Sequence, residues 1–165
     1  MMLKVAQLLT ARQVVFEWNV VGHMNPQLKQ LVESKENARY EDCHIQFLGY
    51  QRPEALLEIL CSSTLYVHTA YIENSPNSIC EAQCLGVPVV STNVGGISSL
   101  VHDGQDGILV PANDPWQMAD AIIQLASHPE RMQSFSKNGC EVALSRHSDS
   151  QIKQQLLACY DAITK

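Results

Sequence analysis

Two carboxylates, Glu73 and Glu81, bracket the segment Glu73-Asn74-Ser75-Pro76-Asn77-Ser78-Ile79-Cys80-Glu81, with seven residues between them. An ionised carboxylate only accepts hydrogen bonds, which suits it to gripping pairs of sugar hydroxyls. Pro76 biases Ser75 toward an extended backbone, and Asn77 or Ser78 is placed to cap a helix beginning there. The amides just past such a cap have no partner inside the helix. They face outward at the positive end of the helix dipole and make an anion site. A diphosphate would sit there without a lysine, with a carboxylate on either side for sugar hydroxyls. The residues also permit plainer readings. Ser78-Ile79-Cys80-Glu81 fits a capping box in which Glu81 reaches back to the Ser78 amide, and Glu73 alone suits a solvated loop. Spacing leaves both pairs of readings open.

The elements that must position this segment follow from periodicity. Met2, Val5, Ala6 and Leu9 recur at helical spacing. Val14 to Val21 reads as a buried strand stopping at Gly22. Pro26 to about Lys35 forms a short helix, and Glu33 to Asp42 is polar loop. His44 to Leu48 is a strand ending at Gly49, and Pro53 to Cys61 is a helix opened by its proline. Leu65 to His68 is the next strand, a loop runs from Thr69 to Asn77, and a helix follows to Leu85, ended by Gly86. Val87 to Ser91 is a strand starting at Pro88. A short helix runs through about Val101, Gly104 to Gly107 turns, and Ile108 to Val110 is the last strand. Asp114 caps a helix to Ser127 with Pro115 first, and amphipathic helices fill 129–146 and 148–163. Strands alternating with helices predict an α/β fold, a Rossmann-like parallel sheet with helices on both faces. Such sheets take ligands at the carboxyl ends of their strands, where the Glu73 to Glu81 segment falls.

The chain has 165 residues, enough for one domain spanning 1–165 with a substantial core. Its 45% hydrophobic content suits a globular protein, and its net charge of −6 argues against a nucleic-acid footprint. No stretch reaches bilayer-crossing length, and the start lacks a signal-peptide pattern. Cys43, Cys61, Cys80, Cys84, Cys140 and Cys159 form no Cys-x-x-Cys pair and no zinc spacing, so they read as reduced, buried thiols of a cytoplasmic protein. His68, ending a strand at the binding edge, either contacts a ligand or packs. His23, His44, His102, His128 and His147 show no carboxylate or serine partner in sequence.

Glu73 to Glu81, continued by Ala82-Gln83-Cys84-Leu85-Gly86-Val87-Pro88-Val89-Val90, resembles the Glu-x7-Glu signature of glycosyltransferase family four. Phe47-Leu48-Gly49-Tyr50 resembles that family's strand and loop at the nucleotide base, and Leu65-Tyr66-Val67-His68-Thr69 its strand leading to the signature. Asn93-Val94-Gly95-Gly96-Ile97 and Asp103-Gly104 to Pro111 resemble its closing stretch, so the likeness covers nearly the whole chain in order.

The resemblance implies the C-terminal, donor-binding half of a GT-B enzyme, two Rossmann-like domains facing across a cleft. It implies a UDP- or GDP-linked sugar as substrate, retaining transfer, and neither metal nor other cofactor. It assigns Glu81 to the ribose hydroxyls, the backbone at Asn77 and Ser78 to the diphosphate, and Glu73 with the backbone from Asn74 and Ser75 to the donor sugar. Gly22, Gly49 and Tyr50 line the base and diphosphate pocket. Glu73 is the catalytic candidate, positioning the sugar rather than attacking it. The acceptor, a glycan or lipid-linked sugar, belongs to the N-terminal domain, which this chain does not resemble, so the chain alone is expected to be inactive. The setting implied is cell-envelope polysaccharide synthesis in the cytoplasm, at most peripheral to the inner membrane. Two features depart from the family. No Arg and Lys match those that neutralise the diphosphate, Lys4 and Arg12 being elsewhere, and Pro76 stands where a backbone amide is usual. The family's first strand also has no counterpart, which predicts either a distorted sheet or pairing with another chain. The competing readings are a nucleotide-binding or protein-interaction module without chemistry, and half of a nucleotide-sugar epimerase. No Gly-x-Gly-x-x-Gly follows Val21, where Gly22-His23-Met24-Asn25 stands, which argues against a Rossmann dehydrogenase.

Overall fold

A computed structural model describes residues 1–163. Leu3, Val5, Ala6 and Leu9 are buried along one side of α1 (Met2–Ala11). β1 (Trp18–Val21) pairs in parallel with β2 (Ile45–Gly49), Trp18 opposite Ile45 and Val20 opposite Phe47. Val14 to Glu17, expected as part of the first strand, is not in it. The ladder opens only at Trp18, whose N–H bonds the His44 carbonyl at 2.9 Å, and Val15 lies wholly in solvent. β-branched residues favour a strand only where a partner edge and a covered face exist.

α2 (Pro26–Glu36) joins the two strands, capped by Asn25, whose Oδ1 accepts from Gln27 N at 2.9 Å and Leu28 N at 3.3 Å. It runs into the stretch expected as loop. α3 (Pro53–Ser62) leads to β3 (Tyr66–His68), α4 (Asn77–Cys84) to β4 (Val89–Thr92), and a 3-10 turn at Ile97–Ser99 to β5 (Gly107–Val110). α5 (Pro115–Ala126), α6 (Pro129–Arg146) and α7 (Asp149–Ile163) complete the chain. Asp114 caps α5 as expected, accepting from the Gln117 amide at 2.9 Å. α7 packs on α6 with all its residues exposed.

All strand pairs are parallel, as the alternation predicted, but the sheet is in two pieces, β1-β2 and β3-β4-β5. Among the described residues no ladder joins β1 to β3. The halves are held by side chains instead. On α1, Leu3 and Ala6 pack with Tyr40, Cys43 and Ile45 against β1-β2, while Val5 and Leu9 join Val90, Val110, Met118 and Leu125 of the other half. The opposite face of β3-β4-β5 is covered by α3 and α4 through Leu60, Ile79 and Ala82, packed with Val89 and Val101. All six cysteines are free. Cys43 and Cys80 are buried, Cys84 and Cys140 half-buried, and Cys61 and Cys159 exposed, so the buried-thiol reading holds for only some of them.

Candidate functional site

The strand edge receives the Glu73 to Glu81 segment as expected, and tertiary contacts fix its course. Thr92 Oγ1 donates to the Ala70 carbonyl at 2.7 Å, tying the loop's first turn to β4. Farther along, the loop lies against a Gly-Gly turn. A Cβ on Gly95 would fall 1.6 Å from the Glu73 carbonyl oxygen, and one on Gly96 would fall 2.3 Å from that of Asn74. Only glycine permits this approach. The Glu73 and Asn74 backbone is therefore seated on a surface without side chains.

The Glu73 carboxylate is held from its own loop. Oε1 accepts from the Asn74 amide at 2.8 Å, and Oε2 faces His68 Nε2 at 3.6 Å. The second distance is too long for a hydrogen bond. His68 Nε2 is consequently a buried nitrogen with no hydrogen-bond partner among the described residues, a situation that costs about 1–3 kcal/mol. Tyr66 and His68, two apart on β3, share a face, with the Tyr66 hydroxyl 3.4 Å from His68 Nδ1. Burial pushes the Tyr66 phenol up, and the nearby Ser78 side chain partly offsets it.

Burial holds His68 below the ordinary imidazole value, with Glu73 opposing. The sign for stability follows. Below the unfolded value of 6.5 the unfolded chain takes up a proton that folded His68 refuses, so stability is full above that pH and falls below it. Thermal unfolding of the wild type between pH 7.5 and 5.5 is expected to show a loss that His68→Phe reduces. An identical pH slope in both chains refutes that assignment.

The capping expectation is corrected. Pro76, extended at ψ 117, is the N-cap residue, and no side chain caps α4. Asn77 and Ser78 are already helical, too deep to act as caps, and their amides are left without a side-chain acceptor. The capping box does not form either. With Pro76 at the cap, its glutamate position falls on Ile79, and Glu81 lies farther into the helix. Glu81 is exposed, and its carboxylate makes no hydrogen bond or ion pair among the described residues. Asn74, Ser75 and Asn77 are exposed too, and Ser78 is half-buried.

Gly22 and Gly49 meet at the ends of β1 and β2, Gly22 N donating to Gly49 O at 2.8 Å, both with positive φ. Tyr50 follows, 84% exposed. These three stand on the two-stranded piece, the Glu73 to Glu81 segment on the other, both at carboxyl ends of parallel strands. A cavity of about 690 Å³ lies elsewhere, lined by Phe16, Lys29, His44 and Phe47 among others and by none of the candidate residues.

Lys4 and Arg12 are engaged away from this edge, Lys4 with Glu36 at 3.5 Å and Arg12 with Asp120. His102, without a visible partner in sequence, bonds Asp106 Oδ2 through Nδ1 at 2.6 Å and its own amide bonds Oδ1, which closes the turn before β5. Sequence reasoning missed what Gly95, Gly96 and Tyr66 do for Glu73. The alternation of Tyr66 and His68 ahead of a loop carboxylate was the available signal for the last.

A domain of parallel sheets flanked by helices is the fold of the C-terminal domain of GT-B glycosyltransferases. It matches the C-terminal domain of a glycosyl transferase group 1 family protein of Francisella tularensis at TM-score 0.77, 17% identical over 90% of this chain and 78% of that one. It matches HepE of Anabaena, a structure in complex with UDP and glucose, at TM-score 0.76, 21% identical over 96% of this chain and 44% of that one. The family model for glycosyl transferases group 1 matches residues 1–128. The chain belongs to that family. Relatives include a D-inositol 3-phosphate glycosyltransferase of Corynebacterium urealyticum, 30% identical over 72% of this chain and 28% of its own length. Another is the alpha-D-kanosaminyltransferase of Streptomyces kanamyceticus, 27% identical over 86% of this chain and 36% of its own length. The chain thus spans between 19% and 36% of the length of the curated relatives it matches. Among the described residues no helix is long and apolar enough to cross a membrane.

Proposed function

We propose that this domain binds a UDP- or GDP-linked sugar at the edge formed by Gly22, Gly49, Tyr50 and the Glu73 to Glu81 segment, and presents it for retaining transfer without a metal. One arrangement carries the reading: the uncapped start of α4 lies between an exposed, unpaired Glu81 and a Glu73 seated on the Gly95-Gly96 turn. Asn77 and Ser78 amides meet the diphosphate, where fixed dipoles stabilise the departing charge as the sugar C1–oxygen bond breaks. Glu81 takes the ribose hydroxyls. Glu73, with the backbone of Asn74 and Ser75, takes the sugar. Bonding of C1 to an acceptor hydroxyl oxygen, whose proton passes to the departing diphosphate oxygen, completes the transfer and releases a nucleoside diphosphate. The acceptor, a glycan or lipid-linked sugar, is held by the domain facing this one in the GT-B architecture, so this chain alone does not turn over. The reaction belongs in the cytoplasm, where sugar nucleotides are used.

HepE's complex with UDP makes uridine donors the first to try. Calorimetric titration of the folded chain with UDP- and GDP-sugars is expected to give saturable binding for one base. No heat with any of them overturns the donor reading. In an enzyme with both domains, Glu73→Gln is expected to lower kcat on the order of 100-fold with donor KM little changed, the scale of one misdirected positioning group. Transfer at near wild-type rate removes Glu73 from the mechanism.

A further inference from the structure

We propose that His68 is a positioning residue for Glu73, the middle member of a side-chain relay Tyr66–His68–Glu73 that braces the sugar end of the donor loop against β3. The proposal rests on the donor-site reading for what the relay serves, though its geometry stands apart from that reading.

The three side chains line up from β3 toward the loop. Tyr66 and His68 lie together on β3, and Glu73 is five residues past His68 in the loop that follows. The donors run in one direction. The Tyr66 hydroxyl, 3.4 Å away, faces His68 Nδ1 as acceptor. That tautomer puts the proton on Nε2, which points at Glu73 Oε2 across 3.6 Å with nothing else to bond. The other carboxylate oxygen is already committed to the Asn74 amide. A buried N–H left open beside a carboxylate is satisfied when that carboxylate turns inward by a few tenths of an ångström. A sugar whose hydroxyls engage Glu73 would be met by a carboxylate already fixed in plane from both sides.

The groups facing His68 are few. Glu73 comes from the loop and Tyr66 from its own strand, with Ser78 and Glu81 of α4 acting on Tyr66 and Ser91 opposite on β4. Burial keeps the imidazole neutral, the form able to donate from Nε2 while accepting at Nδ1.

The test has a ligand-free arm and a ligand arm. Nitrogen NMR of the folded chain is expected to show His68 as the Nε2–H tautomer, with a titration midpoint that drops in Glu73→Gln. A midpoint and shifts untouched by Glu73→Gln overturn the relay, whatever the chain binds. In the ligand arm, UDP-glucose, GDP-mannose, UDP and GDP are titrated into wild type, His68→Phe and His68→Gln. His68→Phe is expected to weaken the sugar nucleotide about tenfold, the scale of one charge-assisted hydrogen bond, and to leave the bare nucleotide unchanged. His68→Gln, whose amide still donates to Glu73, recovers most of that loss. Equal losses for sugar nucleotide and bare nucleotide, or no rescue by Gln, make His68 a packing residue and overturn the proposal. If wild type binds none of the four, the donor reading fails, and the NMR arm alone decides the relay.

Discussion

Gly95→Ala is expected to weaken donor binding about 100-fold and to destabilise the domain by roughly 2–3 kcal/mol. The new methyl would lie 1.6 Å from the Glu73 carbonyl oxygen, a backbone atom that no rotamer change moves. Restoring van der Waals contact displaces the Glu73 backbone by about 1.5 Å, enough to carry its carboxylate off the Asn74 amide and away from a sugar. The residue also sits at φ +54, which costs alanine a further ~1 kcal/mol. Two other glycines separate these effects. Gly96 has an ordinary φ of −87, yet its Cβ would meet the Asn74 oxygen at 2.3 Å, so Gly96→Ala reports displacement alone. Gly104 has φ +73 and open space around it, so Gly104→Ala reports only the backbone penalty. Donor titration and thermal unfolding of all three give the answer. Weak donor binding in Gly95→Ala and Gly96→Ala, with Gly104→Ala like wild type, is the expected pattern. Equal donor affinity in Gly95→Ala and Gly104→Ala defeats the claim that the glycine pair seats the donor loop.

Those glycines show how far a sequence reaches. Gly95-Gly96 is visible as a motif, but its partner lies about twenty residues earlier, and only the fold brings the two backbones together. Likewise, His68 and Glu73 are close in sequence, yet whether they face each other depends on the path around Pro76. Helices and strands were legible because their signals are local: apolar residues at helical spacing in α1, prolines opening α2, α3, α5 and α6, glycines closing β1 and β2. Local signals failed where an outcome needed a partner. Val14 to Glu17 has strand propensity and no neighbouring edge. Asn77 has a capping side chain, but Pro76 already holds the cap geometry, so the helix begins one residue too early for it. The break between β1 and β3 is a property of pairing, which no single segment encodes.

Glu81→Ala is expected to reduce donor affinity about 100-fold while leaving the melting temperature where it was. Its carboxylate is exposed and has no hydrogen bond or ion pair among the described residues, so truncation uncovers no buried partner and changes stability by about 0.5 kcal/mol at most. Two charge-assisted hydrogen bonds to vicinal hydroxyls contribute roughly 3 kcal/mol together, which corresponds to about a hundredfold in affinity. Glu81→Gln keeps the length and one acceptor oxygen, and its loss is expected to be about tenfold. The ribose assignment adds a sharper requirement. The loss must be the same for a bare nucleoside diphosphate as for its sugar conjugate, because the ribose is common to both. His68→Phe acts through Glu73 and touches the sugar conjugate alone, so the two variants report on opposite ends of one ligand. A capping role predicts the reverse for Glu81: a melting temperature several degrees lower with nucleotide affinity intact. That result would return Glu81 to the helix and leave the ribose without its carboxylate.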